Sequence, residues 1–157
     1  VGQGFDLHRL VAGRRLVLGG VEISHDRGLE GHSDADVLAH AVGDALLGAI
    51  GAGDLGTHFP STEATWRDAT GQELLARIGT MVGDAGYRVE NVDATILAQE
   101  PRLSPYRAAI EKGLSEMLGL SPWRVNVKLK SADGLGTIGR GEGIAAQAVV
   151  LLLRVEA

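Results

Sequence analysis

The chain contains no cysteine, which excludes disulfides and thiolate metal sites. Any metal must therefore be held by nitrogen and oxygen donors. Aromatic residues are scarce, two each of Phe, Trp and Tyr, so the core must be assembled from Ala, Val, Leu and Ile. No apolar run approaches the ~20 residues that a membrane span needs, and no secretory leader is recognised. The longest apolar run, residues 145–153, is broken by Gln147 and reads as a buried strand. Positive charge is in short supply: the net charge of -5 argues against non-specific nucleic-acid binding. A cytoplasmic protein without nucleic-acid or membrane partners is the expectation. The chain opens on Val rather than Met, as a processed or trimmed terminus would.

What is present fits one domain over residues 1–157, with 45% hydrophobic and 22% charged residues. Glycine is abundant at 23 residues and marks several tight backbone sites. Residues 15–23 are β-rich with Gly19-Gly20 as a turn or bulge, and residues 25–31 read as a loop. Ser33 and Asp36 have capping-box spacing, so a helix is expected to begin there. Val37, Leu38, Ala41, Val42, Ala45, Leu46 and Ala49 give it an apolar stripe; Asp36, His40 and Asp44 form a second, acidic stripe. Residues 51–60 are a loop. Thr70 and Glu73 make another capping box before a second helix ending at Gly86. A strand over residues 89–97, a third helix opened by Ser104-Pro105, a strand over residues 125–129, a glycine-rich segment over residues 134–143 and a last strand over residues 144–155 complete the order. The expected fold class is α+β: a single mixed sheet covered on one face by three helices. The last strand reads as buried on both faces, the second by other copies of the chain.

Four constellations carry chemistry. In an extended stretch Asp6 and His8 project from one side, together with Gly2 and Gly4, where something can approach the backbone closely. Asp6, His8 and His40 make a three-ligand set with an open fourth position, the pattern of a catalytic zinc. The spacing equally allows a surface Asp–His pair and a histidine satisfied by helix neighbours. Asp54-Leu55-Gly56 offers a carboxylate and a backbone N–H to a sugar diol, or simply turns the chain. His32-Ser33 precedes a helix N-terminus, where N–H groups and the helix dipole attract phosphate, or where Ser33 merely caps. Lys130-Ser131-Ala132-Asp133, followed by glycines and Arg140, suits a phosphate with a hard divalent metal, or is a glycine-rich hairpin. It lacks the GKS or GKT of a Walker loop.

In this order the pieces GFDLHRL (residues 4–10), GHSDADVLAHAVGDALLGAIGAGDLGTHFP (31–60), NVDATILAQEPRL (91–103), VNVK (125–128) and GRGEGIA (139–145) resemble the 2-C-methyl-D-erythritol 2,4-cyclodiphosphate synthase family, almost end to end. The resemblance implies a lyase of non-mevalonate isoprenoid biosynthesis. Its substrate is a CDP-linked methylerythritol 2-phosphate, whose 2-phosphate attacks the β-phosphorus and expels CMP. It implies zinc on Asp6, His8 and His40, and a second cation, Mg²⁺ or Mn²⁺, on Asp133. His32 and Ser131 match transition-state stabilisers. The implied substrate contacts begin with Asp6, Leu7 and His8, then His32 and Ser33, with Asp44 assisting Asp54, Leu55 and Gly56 at the ribose. They continue through Phe59, Pro60, Ser61, Thr62 and Glu63. Ala98, Gln99, Glu100, Pro101, Arg102, Leu103 and Ser104 match the cytosine pocket. Lys130, Ser131, Ala132, Asp133, Thr137 and Arg140 complete the implied substrate contacts. The family is a homotrimer with sites between subunits, and an isoprenoid diphosphate in a central channel is a further partner expectation, with Arg140 as one ligand.

Several positions depart from the family pattern. Ser61 stands for the first Asp of FPDTD, Lys130-Ser131-Ala132 for a threonine run, Asp133 for Glu and Thr137 for an aromatic. Two other readings compete: a zinc phosphohydrolase giving a linear product, and a non-catalytic trimeric binding protein with structural zinc.

Overall fold

The computed structural model of the protein describes residues 1–66 and 68–156. A long strand β1 (Gly2–Ala12) is followed by three short ones, β2 (Leu16–Leu18), β3 (Val21–Ile23) and β4 (Arg27–Leu29). Helix α1 (Val37–Ala49), the single turn α2 (Leu55–His58) and α3 (Gly71–Asp84) come next. Then come β5 (Tyr87–Leu97), α4 (Arg107–Met117), β6 (Val125–Lys130), the single turn α5 (Gly136–Gly139) and β7 (Gly143–Arg154). Five strands form one mixed sheet in the order β4-β1-β7-β5-β6, and β2 pairs with β3 apart from it. Only β5 and β6 run parallel; the other pairs are antiparallel.

The close approach expected at Gly2 and Gly4 is made by α1. A Cβ on Gly2 would lie 1.8 Å from the Ala45 carbonyl oxygen, and one on Gly4 2.0 Å from that of Ala41. Any side chain there would push the helix off the strand. The apolar stripe of α1 is fully buried from Val37 to Leu46 and partly so at Ala49, with the helix packed on β1 and β7. Helix α3 packs on α1 and β5, and α4 on β6. The capping box of Thr70 and Glu73 is complete, and Gly19-Gly20 is the β2–β3 turn, both glycines at positive φ.

Several expectations are corrected. The loop of residues 25–31 contains β4, which pairs with the end of β1. The first long helix begins at Val37, capped by Asp36 rather than Ser33. Ala35 has φ +56°, so the backbone cannot be helical before Asp36. Asp36 is not part of an exposed acidic stripe. It is fully buried and accepts from the N–H groups of Ala39, Gly19 and Gly20, tying the β2–β3 turn to the start of α1. Ser104 caps no helix with its side chain; a 3₁₀ turn over Ser104–Tyr106 leads into α4. The glycine-rich segment is no hairpin, because β5 lies between β6 and β7. Within the chain β7 is buried on one face only from Gln147 onward. Its other face carries Val149, Leu151 and Leu153, beside Phe5 and Leu7 of β1, which are 56% and 49% exposed.

Candidate active site

Strand β1 and helix α1 together build the centre of the site. Asp6 and His8 point to the helix side of β1, and His40 comes down from the first turn of α1. His8 Nε2 and His40 Nδ1 are 3.1 Å apart, and Asp6 Oδ2 lies 2.8 Å from the first and 3.0 Å from the second. Tetrahedral ligands about 2.0–2.2 Å from a zinc ion stand about 3.3–3.6 Å apart. The triangle is therefore within about 0.8 Å of a loaded site. It is the one group of three or more metal-ligating side chains among the described residues.

The ring nitrogens not in the triangle are also engaged. His8 Nδ1 donates to the Glu30 carbonyl, which can only accept, at 2.7 Å, so once the imidazole is neutral its Nε2 lone pair is free for a metal in the triangle. His40 Nε2 and Ser33 Oγ are 3.1 Å apart, so with a metal on Nδ1 the remaining N–H of His40 would be accepted by Ser33. Metal-binding imidazoles are oriented in this way by outer partners. Burial alone would raise the Asp6 carboxyl; the hydrogen bonds from His40 and His8 outweigh it and hold the carboxyl well below its usual range. Burial alone would lower His8, but its bond to Asp6, that carboxylate's charge and the Glu30 carbonyl raise it.

A cleft of about 460 Å³ opens over the triangle. Of the expected site residues it gathers Asp6, His8, His32, Ser33, His40, Asp44, Asp54, Leu55, Gly56, Phe59 and Ser61. Asp44, raised chiefly by burial, accepts the Leu55 N–H at 2.8 Å and fixes the Asp54–Gly56 turn to α1. Asp54 caps α2 by accepting from Thr57. Pro60, Thr62 and Glu63 do not line this cleft. Leu7 points to the opposite sheet face, in a smaller hollow with Thr137.

A second hollow, of about 240 Å³, is lined by Ala98, Gln99, Pro101, Arg102, Leu103, Ser104, Lys130 and Ser131. It shares no lining residue with the first. Ser131 Oγ donates to Asp133 Oδ1 at 2.6 Å, and Gly134 N–H donates to Gln99. Glu100 is paired with Arg27, and Arg140 with Glu142. Ala132 belongs to the same turn, its carbonyl accepting the Leu135 N–H.

Sequence reasoning missed Trp66 and Leu74, which line the first cleft. Trp66 meets Phe59 edge-on, with ring centroids 4.8 Å apart, and carries the Arg77 guanidinium over its face. A tryptophan within the polar segment after Pro60 was the available signal.

The family model described as the YgbB family matches residues 1–153. The chain belongs to the YgbB family. A curated relative from Laribacter hongkongensis, named 2-C-methyl-D-erythritol 2,4-cyclodiphosphate synthase, is 56% identical over 152 residues, which is 97% of this chain and 94% of its own. A solved structure of the synthase in a CDP-bound form superposes with a TM-score of 0.89 at 36% identity, covering 97% of this chain and 99% of its own. A CDP complex from Plasmodium falciparum superposes at 0.86 with 32% identity, covering 99% and 96%. The resemblance drawn from the motifs is thus borne out for the family. No helix among the described residues is long and apolar enough to cross a membrane.

Proposed function

We propose that this protein converts 4-diphosphocytidyl-2-C-methyl-D-erythritol 2-phosphate to 2-C-methyl-D-erythritol 2,4-cyclodiphosphate and CMP; its curated relatives are named for the synthesis of that cyclodiphosphate. An oxygen of the 2-phosphate forms a bond to the β-phosphorus. The bond from that phosphorus to the bridging oxygen breaks, and CMP leaves with the oxygen. No water is consumed. Catalysis is then a matter of bringing two phosphates together and neutralising charge.

The observation that carries this reading is the triangle of Asp6 Oδ2, His8 Nε2 and His40 Nδ1 at the floor of a cleft, each imidazole held by its other nitrogen. Nitrogen and carboxylate donors without sulfur suit zinc, with a fourth position left for substrate. Zinc held there supplies Lewis-acid polarisation of a diphosphate oxygen. His32 and Ser131 donate to the phosphates in the transition state. The Asp54–Gly56 turn receives the ribose, and residues 98–104 the cytosine. Asp133, an exposed carboxylate, suits Mg²⁺ or Mn²⁺, which takes one or two carboxylates and completes its shell with phosphates and water.

The two hollows share no residue within one chain, and the outer sheet face exposes Phe5, Leu7, Val149 and Leu151. Both features support a homotrimer with the cytosine hollow of one subunit facing the metal cleft of the next. The outer faces would then enclose a channel, where Arg140 could meet an isoprenoid diphosphate. A cytoplasmic location fits this soluble substrate.

The test is product analysis with the CDP-linked substrate. Stoichiometric CMP and a cyclic diphosphate, with no inorganic phosphate, are expected. A linear product carrying solvent oxygen would instead make it a hydrolase. Sedimentation analysis checks the trimer.

A further inference from the structure

Arg14 lies between β1 and β2, outside every motif considered above. It does not line the cleft. Its partly buried guanidinium grips the back of residues 30–33. Nη1 donates to the Gly31 carbonyl at 3.1 Å and Nη2 to the Ser33 carbonyl at 2.9 Å. The other two carbonyls of the segment are taken as well, Glu30 by His8 Nδ1–H and His32 by the Asp68 N–H at 3.0 Å. The segment that orients both imidazoles is thus held from behind by one side chain.

A trans peptide is planar, with N–H and C=O on opposite sides. The Gly31 carbonyl points at Arg14, so the His32 N–H points away from it. The His32 carbonyl points at Asp68, so the Ser33 N–H points away from that. Neither Arg14 nor Asp68 is in the cleft wall, whereas His32 and Ser33 are. Among the described residues neither of these N–H groups has a hydrogen-bond partner. The packing leaves little slack, since a Cβ at Gly31 would stand 2.8 Å from the Ala35 Cβ and 3.3 Å from His8 Cε1.

We propose that Arg14 is a positioning residue: by clamping the Gly31 and Ser33 carbonyls, it aims the backbone N–H groups of His32 and Ser33 into the cleft as a cradle for diphosphate. Without it two carbonyls lose a charged donor, and the peptide between residues 31 and 32 is free to turn its oxygen toward the anion. The two-pronged grip needs a guanidinium; an ammonium is a point donor and cannot span both carbonyls in the same planar geometry. The proposal takes only the identity of the anion from the proposed function.

The experiment compares zinc-loaded wild type, Arg14→Ala and Arg14→Lys. Binding of inorganic pyrophosphate is measured by calorimetry, and the amide ¹⁵N resonances of His32 and Ser33 are followed on its addition. Arg14→Ala is expected to weaken pyrophosphate binding about tenfold, the loss of roughly one charge-assisted hydrogen bond. Arg14→Lys should recover part of that, and added methylguanidinium should restore Arg14→Ala. Zinc content stays at the wild-type level, and the two amide resonances shift on pyrophosphate addition in wild type but not in Arg14→Ala. The proposal is overturned if Arg14→Ala binds pyrophosphate as wild type does and only melts earlier. It is also overturned if the affinity loss merely follows loss of zinc. Should Arg14→Ala not fold, Arg14→Lys carries the same comparison. A wild-type protein that releases no CMP from the CDP-linked substrate would defeat the proposed function, while the pyrophosphate comparison still decides the role of Arg14.

Discussion

The metal cleft and the hollow of residues 98–104 and 130–131 contrast in how their polar groups are held. In the cleft the two imidazoles of the triangle use both ring nitrogens, Asp44 holds the Leu55 N–H, and Arg14 pins the segment behind His32. In the second hollow Ser131 and Lys130 are exposed, and Ser131 bonds only two residues away, to Asp133. The first region is preorganised within one chain. The second is a set of exposed donors with few partners within the chain. In the proposed trimer a diphosphate between two such regions would be gripped rigidly at one end and adaptively at the other, which suits a reaction that needs two phosphates brought together.

That contrast makes the regions break differently. His40→Ala removes a corner of the triangle, and activity should fall at least about a thousandfold, with zinc lost and the fold retained. Metal analysis alongside the rate checks both parts. Ser131→Ala should lower kcat about a hundredfold, the usual cost of one transition-state donor, with zinc content unchanged. Loss of zinc in this variant would mean that the two regions are not separate. Ser33→Ala leaves every ligand in place but removes the acceptor for His40 Nε2–H. Zinc affinity should drop about tenfold, as for other outer-partner losses, measurable by competition with a chelator.

The smallest effect expected is on pH dependence. His8 in the metal-free protein is raised above its ordinary 6.5 and Asp6 is lowered. A raised imidazole stabilises the fold below its ordinary value and loses that contribution as pH rises through the folded value. A lowered carboxyl stabilises above its ordinary value and loses that as pH falls. The pair therefore supports the metal-free protein most between the carboxylate range and about pH 6.5, and less at higher pH. Zinc needs the neutral imidazole, so its affinity should weaken as pH falls, beginning somewhat above 6.5. Melting curves with and without zinc across pH 5–9 would show the two trends running in opposite directions.

Much of the cleft was legible because its parts lie on regular periods. Alternation placed Asp6 and His8 on one side of β1, and the glycines on that side marked where α1 would press. Helical spacing put His40 on a face adjoining the apolar stripe. What was illegible depended on partners distant in sequence. Ser33 and Asp36 are both good caps, and only the positive φ of Ala35 decides for Asp36. Strand β4 is three residues long, and its pairing is set by β1. Arg14 and Trp66 carry no motif, since their roles come from carbonyls and rings supplied by other loops. In the second hollow Lys130 and Ser131 were legible as a phosphate-binding loop, but residues 98–104 came only through the family resemblance, and no spacing shows that the two loops meet.

The central claim is that Asp6, His8 and His40 share one ion through Oδ2, Nε2 and Nδ1. Anomalous diffraction at the zinc edge from zinc-soaked crystals tests it most directly. The account predicts one strong peak about 2.0–2.2 Å from all three atoms. A zinc peak elsewhere with none inside the triangle, or imidazoles turned to ligate through His8 Nδ1 and His40 Nε2, would contradict it.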